Sequence, residues 1–210
     1  MITSTTTLVP DSPAAAYDAY RQAASAVFLA GTQGLKYRKE HYELAVDLSK
    51  AGLSYIEEEG DEIDIGAMTP LWQIKISPVI QKLAGGAVSR AISDIADKDI
   101  QRYGTLGGVI SGKGAFSVLL PILLSLHVDV LLQDKGRMSL EDYLQCPPMA
   151  NWLRVFPLPE KKCILLISYR RLPSDEPYLV GAASLRDDSW RIVVGGVPEQ
   201  LPLPGRPVMN

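Results

Sequence analysis

The sequence predicts an α+β protein with a small α/β unit over residues 1–54, a larger antiparallel-sheet unit over residues 55–158 and a short β-rich extension over residues 159–210. Three observations predict this class. A capped helix precedes two short apolar runs near the N-terminus, helical and strand-like stretches are mixed in the middle of the chain, and three further strand-like runs precede a proline-rich tail. Helices and strands that mix without a regular βαβ alternation are typical of α+β proteins.

The small N-terminal unit begins with a helix start. Ser12 is a preferred N-cap residue and Pro13 suits the first helical position, so residues 14–24 are predicted to be helical. The apolar runs 27–30 and 43–48 are typical of strands. One helix followed by two strands predicts a small α/β layer.

The larger unit is predicted to begin with a β-hairpin across Gly60. Its predicted strands are residues 54–57, 62–65, 105–110, 127–132, 137–139 and 152–156, and its predicted helices are residues 70–74 and 78–95. The most apolar stretch, residues 115–132, is interrupted by polar residues and Pro121. A membrane span needs about 20 predominantly apolar residues, so this stretch predicts a buried helix that runs into a strand, with Ser117 as its cap.

The C-terminal extension is predicted to hold three strands, at residues 163–169, 179–185 and 190–194. The prolines that follow predict an extended tail, because proline does not continue a helix. A sheet of three strands has a face to cover, so we expect it to lean on the larger unit or on another subunit.

Composition excludes several kinds of function. The net charge of −3 gives no electrostatic footprint for nucleic acid, and the basic cluster Lys36-Tyr37-Arg38-Lys39 is interpreted as solvated surface, with phosphate contact as the alternative. Two cysteines cannot hold a four-thiolate cluster, so an iron–sulfur centre would have to lie on a partner. No nucleophile–base pair or metal-ligand spacing is present, so we predict no catalytic residue and no metal site in this chain. A cytoplasmic location is expected from the polar N-terminus.

Three segments in which an apolar run breaks into small residues are candidate ligand loops. Glycine lets the backbone approach a ligand closely, and exposed N–H groups bind anions. The segments are Leu29-Ala30-Gly31-Thr32-Gln33-Gly34-Leu35, Ile65-Gly66-Ala67-Met68-Thr69 and Gly104-Thr105-Leu106-Gly107-Gly108. The lack of Gly-x-Gly-x-x-Gly after a first strand argues against a Rossmann dinucleotide site. Glycines so close together also commonly form a simple turn.

The order and spacing of these segments, together with Val46-Asp47-Leu48-Ser49 and Leu119-Leu120-Pro121, resemble the flavin-binding medium subunit of molybdenum hydroxylases such as the xanthine and carbon monoxide dehydrogenases. The resemblance covers most of residues 13–158 and, more loosely, the tail. It implies a PCMH-type FAD-binding fold with FAD between the two units. The cofactor-binding residues it implies are Leu29, Ala30, Gly31, Thr32, Gln33, Gly34, Leu35, Gly66, Ala67, Thr69, Arg102, Gly104, Thr105, Gly107 and Gly108.

The same resemblance implies a function in electron transfer and a heteromeric complex. In such complexes a molybdenum-cofactor subunit oxidises the substrate, an iron–sulfur subunit with 2Fe–2S clusters relays electrons, and the flavin passes them to an external acceptor. The cofactor carries the redox chemistry and the protein positions it, so the chain is not expected to be active alone.

Several departures from the family pattern support an alternative. Thr32, Gln33 and Gly34 stand where the family has Gly, Thr and Asp, and Val109 and Val118 stand where it has Asn and Asp. Valine cannot bond to a phosphate or a hydroxyl, whereas Thr32, Gln33 and Arg102 are candidates to replace the lost contacts, Arg102 as a charge-assisted phosphate donor. The alternative function is a flavin-free scaffold that docks the other subunits. A stand-alone small-ligand module is a third possibility.

Overall fold

A computed structural model describes residues 2–36, 38–60, 62–113, 117–146, 154–156, 163–172, 174–186, 188–196 and 203–205. The strands are β1 (Thr3–Leu8), β2 (Ala26–Leu29), β3 (His41–Asp47), β4 (Ile56–Glu59), β5 (Glu62–Gly66), β6 (Asp129–Leu132), β7 (Gly136–Ser139), β8 (Arg154–Phe156), β9 (Cys163–Tyr169), β10 (Leu179–Arg186), β11 (Ser189–Gly195) and β12 (Leu203–Gly205). The α-helices are α1 (Pro13–Gln22), α2 (Leu71–Ile76), α3 (Pro78–Lys82), α4 (Ala87–Ser93), α5 (Lys98–Tyr103), α6 (Leu106–Gly112), α7 (Leu119–Ser125) and α8 (Leu140–Gln145). This mixture of helices and largely antiparallel sheets confirms the predicted α+β class.

The N-terminal sheet has the order β1-β3-β2, and both of its pairings are parallel. The predicted cap is present, because the Ser12 side chain accepts a hydrogen bond from the Ala15 amide at 3.3 Å. On α1, Ala16 is fully buried against Val46 of β3 and Leu48. The predicted helix and two strands are therefore confirmed. Strand β1 was not predicted, since its threonine-rich run is polar, although β-branched threonine suits a strand.

The second sheet has the order β4-β5-β8-β6-β7. The predicted hairpin is confirmed, and Gly60 adopts a φ of +63° at its turn. Strands β6, β7 and β8 match the predictions at 127–132, 137–139 and 152–156, although residues 152 and 153 lie outside the described part of the chain. Strand β8 lies between β5 and β6 and pairs with both of them in antiparallel fashion.

The prediction of a strand at residues 105–110 is wrong, because these residues begin α6. The Thr105 hydroxyl accepts a hydrogen bond from the Gly108 amide at 3.2 Å, which is an N-cap contact. The apolar residues of this run are compatible with either a helix or a strand, and the cap decides in favour of the helix.

The predicted helix over residues 78–95 is interrupted. It divides into α3, a 3-10 turn at Leu83–Gly86, and α4, and both Ala84 and Gly85 have positive φ within the turn. Helices α5 and α8 were not predicted, since each has only six residues. Their side-chain caps, Asp97 and Ser139, are the local features that could have identified them.

Helix α7 lies in the centre of the larger unit, and all of its residues are buried. It is followed by β6, so the predicted buried helix that runs into a strand is confirmed. The Ser117 hydroxyl accepts a hydrogen bond from the Leu120 amide at 3.3 Å, as predicted for a cap. Among the described residues, no helix is long and apolar enough to cross a membrane.

The three predicted C-terminal strands are confirmed as β9, β10 and β11, in a sheet of order β12-β11-β10-β9. Val180, Ala182 and Val193 on one face of this sheet join the main hydrophobic core. Arg170 reaches Asp94 at 2.7 Å, and Arg191 donates to the Leu124 carbonyl at 2.9 Å. The extension therefore leans on the larger unit through a buried face and two arginines.

Candidate functional site

A cavity of about 540 Å³ lies between the loop that follows β2 and the turn that joins α5 to α6. This volume is within the range of small-molecule and cofactor sites. The predicted cofactor residues that line it are Ala30, Gly31, Thr32, Gln33, Gly34, Leu35, Ala67, Gly104, Thr105, Gly107 and Gly108. Residues separated by more than 70 positions in the sequence are thus brought to one cavity.

Four predicted cofactor residues do not line this cavity. Thr69 is fully buried, and its hydroxyl donates to the Tyr55 carbonyl at 2.8 Å and accepts from the Tyr55 amide at 3.0 Å. The Gly66 amide also donates to the Tyr55 carbonyl, at 3.0 Å. Leu29 is half-buried on β2, and Arg102 is exposed with its guanidinium 5.5 Å from the Tyr103 ring centroid. In the structure, Gly66 and Thr69 lie outside the cavity lining and form hydrogen bonds that attach their segment to Tyr55.

Residues 104–108, which are the turn before α6 and the first residues of that helix, form one wall, and most of their amides are already bonded within the protein. The Gly104 amide donates to the Ile100 carbonyl at 2.9 Å, and the Gly107 amide donates to the Ala67 carbonyl at 2.9 Å. The Leu106 amide bonds to the Thr69 carbonyl and the Gly108 amide to the Thr105 hydroxyl. The protein therefore uses for its own folding the amides that the sequence suggested for a pyrophosphate.

Two glycines of this turn are also required by packing. A Cβ at Gly107 would lie 2.8 Å from the Ala67 Cβ, and a Cβ at Gly104 would overlap the Ile100 carbonyl oxygen. Gly108 differs, because it is exposed and a Cβ there would meet only the Thr105 hydroxyl, at 3.0 Å. Gly108 is thus the glycine of this turn at which a larger side chain would enter the cavity.

The opposite wall is the loop after β2, where the backbone is less fully bonded. The amides of Leu35 and Lys36 both donate to the Thr32 carbonyl, at 3.0 and 3.2 Å, and Thr32 has a φ of +55°. Among the hydrogen bonds between described residues, the amides of Thr32, Gln33 and Gly34 donate none. Consecutive amides at a tight turn form an anion-binding concavity.

The two walls touch at Gly31. A Cβ at this position would overlap the Tyr103 carbonyl oxygen and would lie 3.1 Å from the Gly104 Cα. The side chain of Gln33 folds back over the loop, since its amide group donates to the Gly31 carbonyl at 3.2 Å and accepts from the Lys36 ammonium at 3.1 Å. This loop is therefore held in place by backbone contact and by its own side chains.

Charge at the cavity is unevenly distributed. Of the described lining residues, Arg38 carries a positive charge, and its guanidinium lies 4.0 Å from Glu40 with both side chains about half exposed. The Asp97 carboxylate caps α5 through the Asp99 amide at 2.8 Å and lies 3.7 Å from the Lys36 ammonium. A cation that also pairs with Glu40 therefore lines the same cavity as the loop in which the amides of Thr32 to Gly34 donate to no described acceptor. The sequence assigned Arg38 to solvated surface, although its place four residues after Gly34 was the available indication.

Sequence reasoning also missed most of the apolar wall and the part that the extension contributes. Ile95, Ile100 and Leu48 line the cavity together with Val109 and Val118, the two valines that depart from the family pattern. Glu176 and Pro177, from the loop between β9 and β10, complete the lining. These residues are distant in sequence and carry no motif, so only the fold brings them together.

Comparisons with known proteins agree with this architecture. A family described as the FAD binding domain in molybdopterin dehydrogenase matches residues 3–159. Quinoline 2-oxidoreductase from Pseudomonas putida 86 superimposes with a TM-score of 0.82 at 19% identity, over 100% of this chain and 81% of that one. Carbon monoxide dehydrogenase from Hydrogenophaga pseudoflava gives 0.81 at 22% identity over 94% and 76%, and the reconstituted enzyme from Oligotropha carboxidovorans gives 0.80 at 24% over 97% and 77%. At these identities the structural likeness shows the fold.

A curated relative has no assigned function. YgfM, an uncharacterized protein of Escherichia coli K12, is 29% identical over 105 residues. The match covers 50% of this chain and 39% of YgfM, so it spans about two fifths of that relative.

Proposed function

Because this chain belongs to the family of FAD-binding domains of molybdopterin dehydrogenases, we propose that it binds FAD in the cavity between the loop after β2 and the turn before α6. In this proposal the chain is the flavoprotein subunit of a molybdenum hydroxylase-type complex. It receives electrons from an iron–sulfur subunit and passes them to an external acceptor, while a molybdenum-cofactor subunit oxidises the substrate.

One observation carries the proposal: three backbone amides that donate to no described acceptor and a cation line the same cofactor-sized cavity. The amides of Thr32, Gln33 and Gly34 donate to no described acceptor, and Arg38 lines the same cavity. A diphosphate is recognised by such amides and by a guanidinium, whose hydrogen bonds to phosphate are charge-assisted. The residues present therefore fit the anionic part of FAD.

The remaining walls suit the rest of the molecule. Bound FAD supplies the redox chemistry, and the protein supplies position and electrostatics. Ile100 and Val109 offer apolar surface to a flat ring, and the exposed Gly108 leaves the space that such a ring needs. We propose that Gly66, Thr69 and Leu29 act behind the wall and that Arg102 makes no contact with the cofactor.

We also propose that residues 1–54, 55–158 and 159–210 act as two FAD-binding subdomains and an extension. Two hydrophobic clusters support this division. Ala16, Val46 and Leu53 belong to the smaller cluster, whereas Val180 of the extension joins the larger one. The cavity lies between the first two units, so both contribute to the proposed site.

The flavin-free scaffold is the second candidate function. It is favoured by the bonded amides of Gly104 and Gly107, which explain these glycines without a ligand, and by the two valines in the wall. Under this proposal the family fold is kept for docking the partner subunits.

The deciding experiment is a measurement of flavin in the purified protein, with partner subunits if they co-purify. We expect flavin absorbance, about one FAD released per chain on denaturation, and a loss of tenfold or more in bound FAD for Gly108→Leu, because its side chain fills the cavity. Ser93→Leu, at an exposed position on α4 outside the cavity, is the control and should retain FAD. A colourless chain that takes up no added FAD yet assembles with iron–sulfur and molybdenum partners would support the scaffold instead.

A further inference from the structure

The outer face of the C-terminal sheet is apolar and exposed. Side chains alternate across a strand, and on this sheet one set is buried while the other points away from the core. Seven large apolar side chains on the outward face are between 40% and 60% exposed: Leu165, Ile167, Tyr169, Leu179, Trp190, Ile192 and Val194. The outward face of this sheet is therefore a continuous apolar surface, while its opposite face packs into the hydrophobic core.

The pairing register gives this face a defined shape. Ile167 of β9 and Val194 of β11 flank Gly181 of β10, the strand between them, and Leu165 and Ile192 flank Ala183 in the same way. The strands on either side of β10 thus carry ridges of large side chains, whereas β10 carries small residues at positions 181 and 183. A trough lies over Gly181 and Ala183 of β10, and a Cβ added at Gly181 would meet no described atom within 4 Å.

Area and charge point to the kind of molecule that covers this face. At roughly 100 Å² per half-exposed large side chain, the seven present on the order of 700 Å², which exceeds the usual largest patch on a monomer and approaches the 800 Å² that each partner buries in a standard interface. No charged side chain is present among the described outward residues of β9, β10 and β11. These residues are Leu165, Ile167, Tyr169, Leu179, Gly181, Ala183, Leu185, Trp190, Ile192 and Val194. A surface without charge does not repel a copy of itself.

We propose that this face is the interface of a symmetric dimer of this chain, in which the sheets of two copies pack face to face. The β9 ridge of one copy, with Leu165 and Ile167, lies in the Gly181–Ala183 trough of the other, and the two-fold axis repeats the contact in reverse. Such an isologous interface is closed, so association stops at two copies. Two sheets packed in this way lie about 10 Å apart, as in a β-sandwich.

The first test is sedimentation of the purified full chain over a range of concentrations. We expect a species of twice 22.9 kDa at micromolar concentration. Ile167→Lys should weaken dimerisation at least about 100-fold, because each dimer then buries two unpaired ammonium groups. Ile76→Lys is the matched control, since Ile76 on α2 is also 55% exposed but lies outside the sheet, and it should dimerise normally.

A second variant separates the proposed interface from general stickiness. Gly181→Leu makes the face more apolar but fills the trough, so a specific dimer weakens whereas non-specific association strengthens. Circular dichroism checks that each variant folds. A chain that stays monomeric at all concentrations, species that grow beyond two copies, or a dimer that survives both Ile167→Lys and Gly181→Leu would each overturn the proposal.

Discussion

Both walls of the cavity contain glycines, but the backbone amides of the two walls differ in whether they are bonded within the protein. In the turn before α6, Gly104 and Gly107 allow the protein's own backbone to approach, and their amides bond within the chain. In the loop after β2, the amides of Thr32 to Gly34 bond to no described acceptor, and a cation lines the same cavity. A glycine-rich segment therefore indicates that another group lies close to its backbone. Only the hydrogen bonds of the folded chain show whether that group belongs to the protein or to a ligand.

The largest expected effect is a loss of stability on substitution of Gly31, where the two walls touch. Gly31→Ala puts a Cβ into the Tyr103 carbonyl, with backbone on both sides of the clash, and should cost about 3 kcal/mol of unfolding free energy. Gly34→Ala, in the same loop, meets no described atom within 4 Å and should remain within about 0.5 kcal/mol of the original chain. Urea unfolding of the three proteins measures the difference. Equal losses in the two variants would show that the contact at Gly31 is not the cause.

The next effect concerns the residues behind the walls. Thr69→Val removes the hydroxyl that bonds the partly buried Tyr55 amide and carbonyl, and it should cost about 2 kcal/mol although the carbonyl keeps its bond from the Gly66 amide. Thr69→Ser keeps the hydroxyl and should lose less. We expect the FAD bound per folded chain to be the same in both, as measured by flavin release after purification of the folded fraction. Selective loss of flavin without loss of stability would assign Thr69 to the cofactor site.

A smaller effect compares the arginines that lie beside the two walls. Arg38→Gln removes the cation among the described lining residues, and we expect FAD affinity to fall about tenfold and to depend less on salt. Arg102→Gln changes an exposed arginine that lies outside the lining, so the affinity should not change. Fluorescence titration of the flavin-depleted chain gives both values. The reverse result would move the phosphate site to the turn before α6.

The smallest effect concerns the far end of α6, which is attached to α8. The Tyr143 hydroxyl lies 3.4 Å from the Ser111 hydroxyl, and burial raises the pKa of Tyr143. An unfolded tyrosine ionises near pH 10 while the folded one stays neutral, so this side chain's share of stability is full below about pH 10 and is lost as the pH rises further.

Tyr143→Phe should therefore lose less stability between about pH 9 and pH 11 than the original chain. Burial lowers the pKa of the neighbouring Lys113, which acts in the opposite direction, but Lys113 is present in both proteins and cancels in the comparison. Thermal unfolding at each pH measures the two slopes. Parallel slopes would contradict the assignment.

The sequence predicted the elements whose local pattern agrees with their final packing. Ser12 and Pro13 mark α1, and the strand-like runs of β9, β10 and β11 mark the C-terminal sheet. Residues 105–110 were misassigned because their apolar spacing suits both periods and only the Thr105 cap distinguishes them. The amides of Gly104 and Gly107 could not be assigned, because their acceptors belong to contacts that exist only after folding.

The site shows the same division. The sequence identified three candidate loops, and each of them contributes to the cavity lining, the second through Ala67 and Met68. Glu176, Pro177 and Ile95 line the same cavity but lie in segments without a motif, and Arg38 was hidden in a basic run that also suits solvent. Lining residues of this kind are determined by tertiary packing.

Because β8 is the middle strand of the five-stranded sheet, we expect this sheet to form later during synthesis than the N-terminal sheet. The N-terminal sheet is complete once residue 47 has left the ribosome, because β1, β2 and β3 lie within the first part of the chain. The five-stranded sheet cannot be completed until residues 154–156 are synthesised, because they pair with both the β4–β5 hairpin and the β6–β7 hairpin. Until then each nascent hairpin presents an open edge, so the interval before Arg154 emerges is when this chain most needs protection from aggregation.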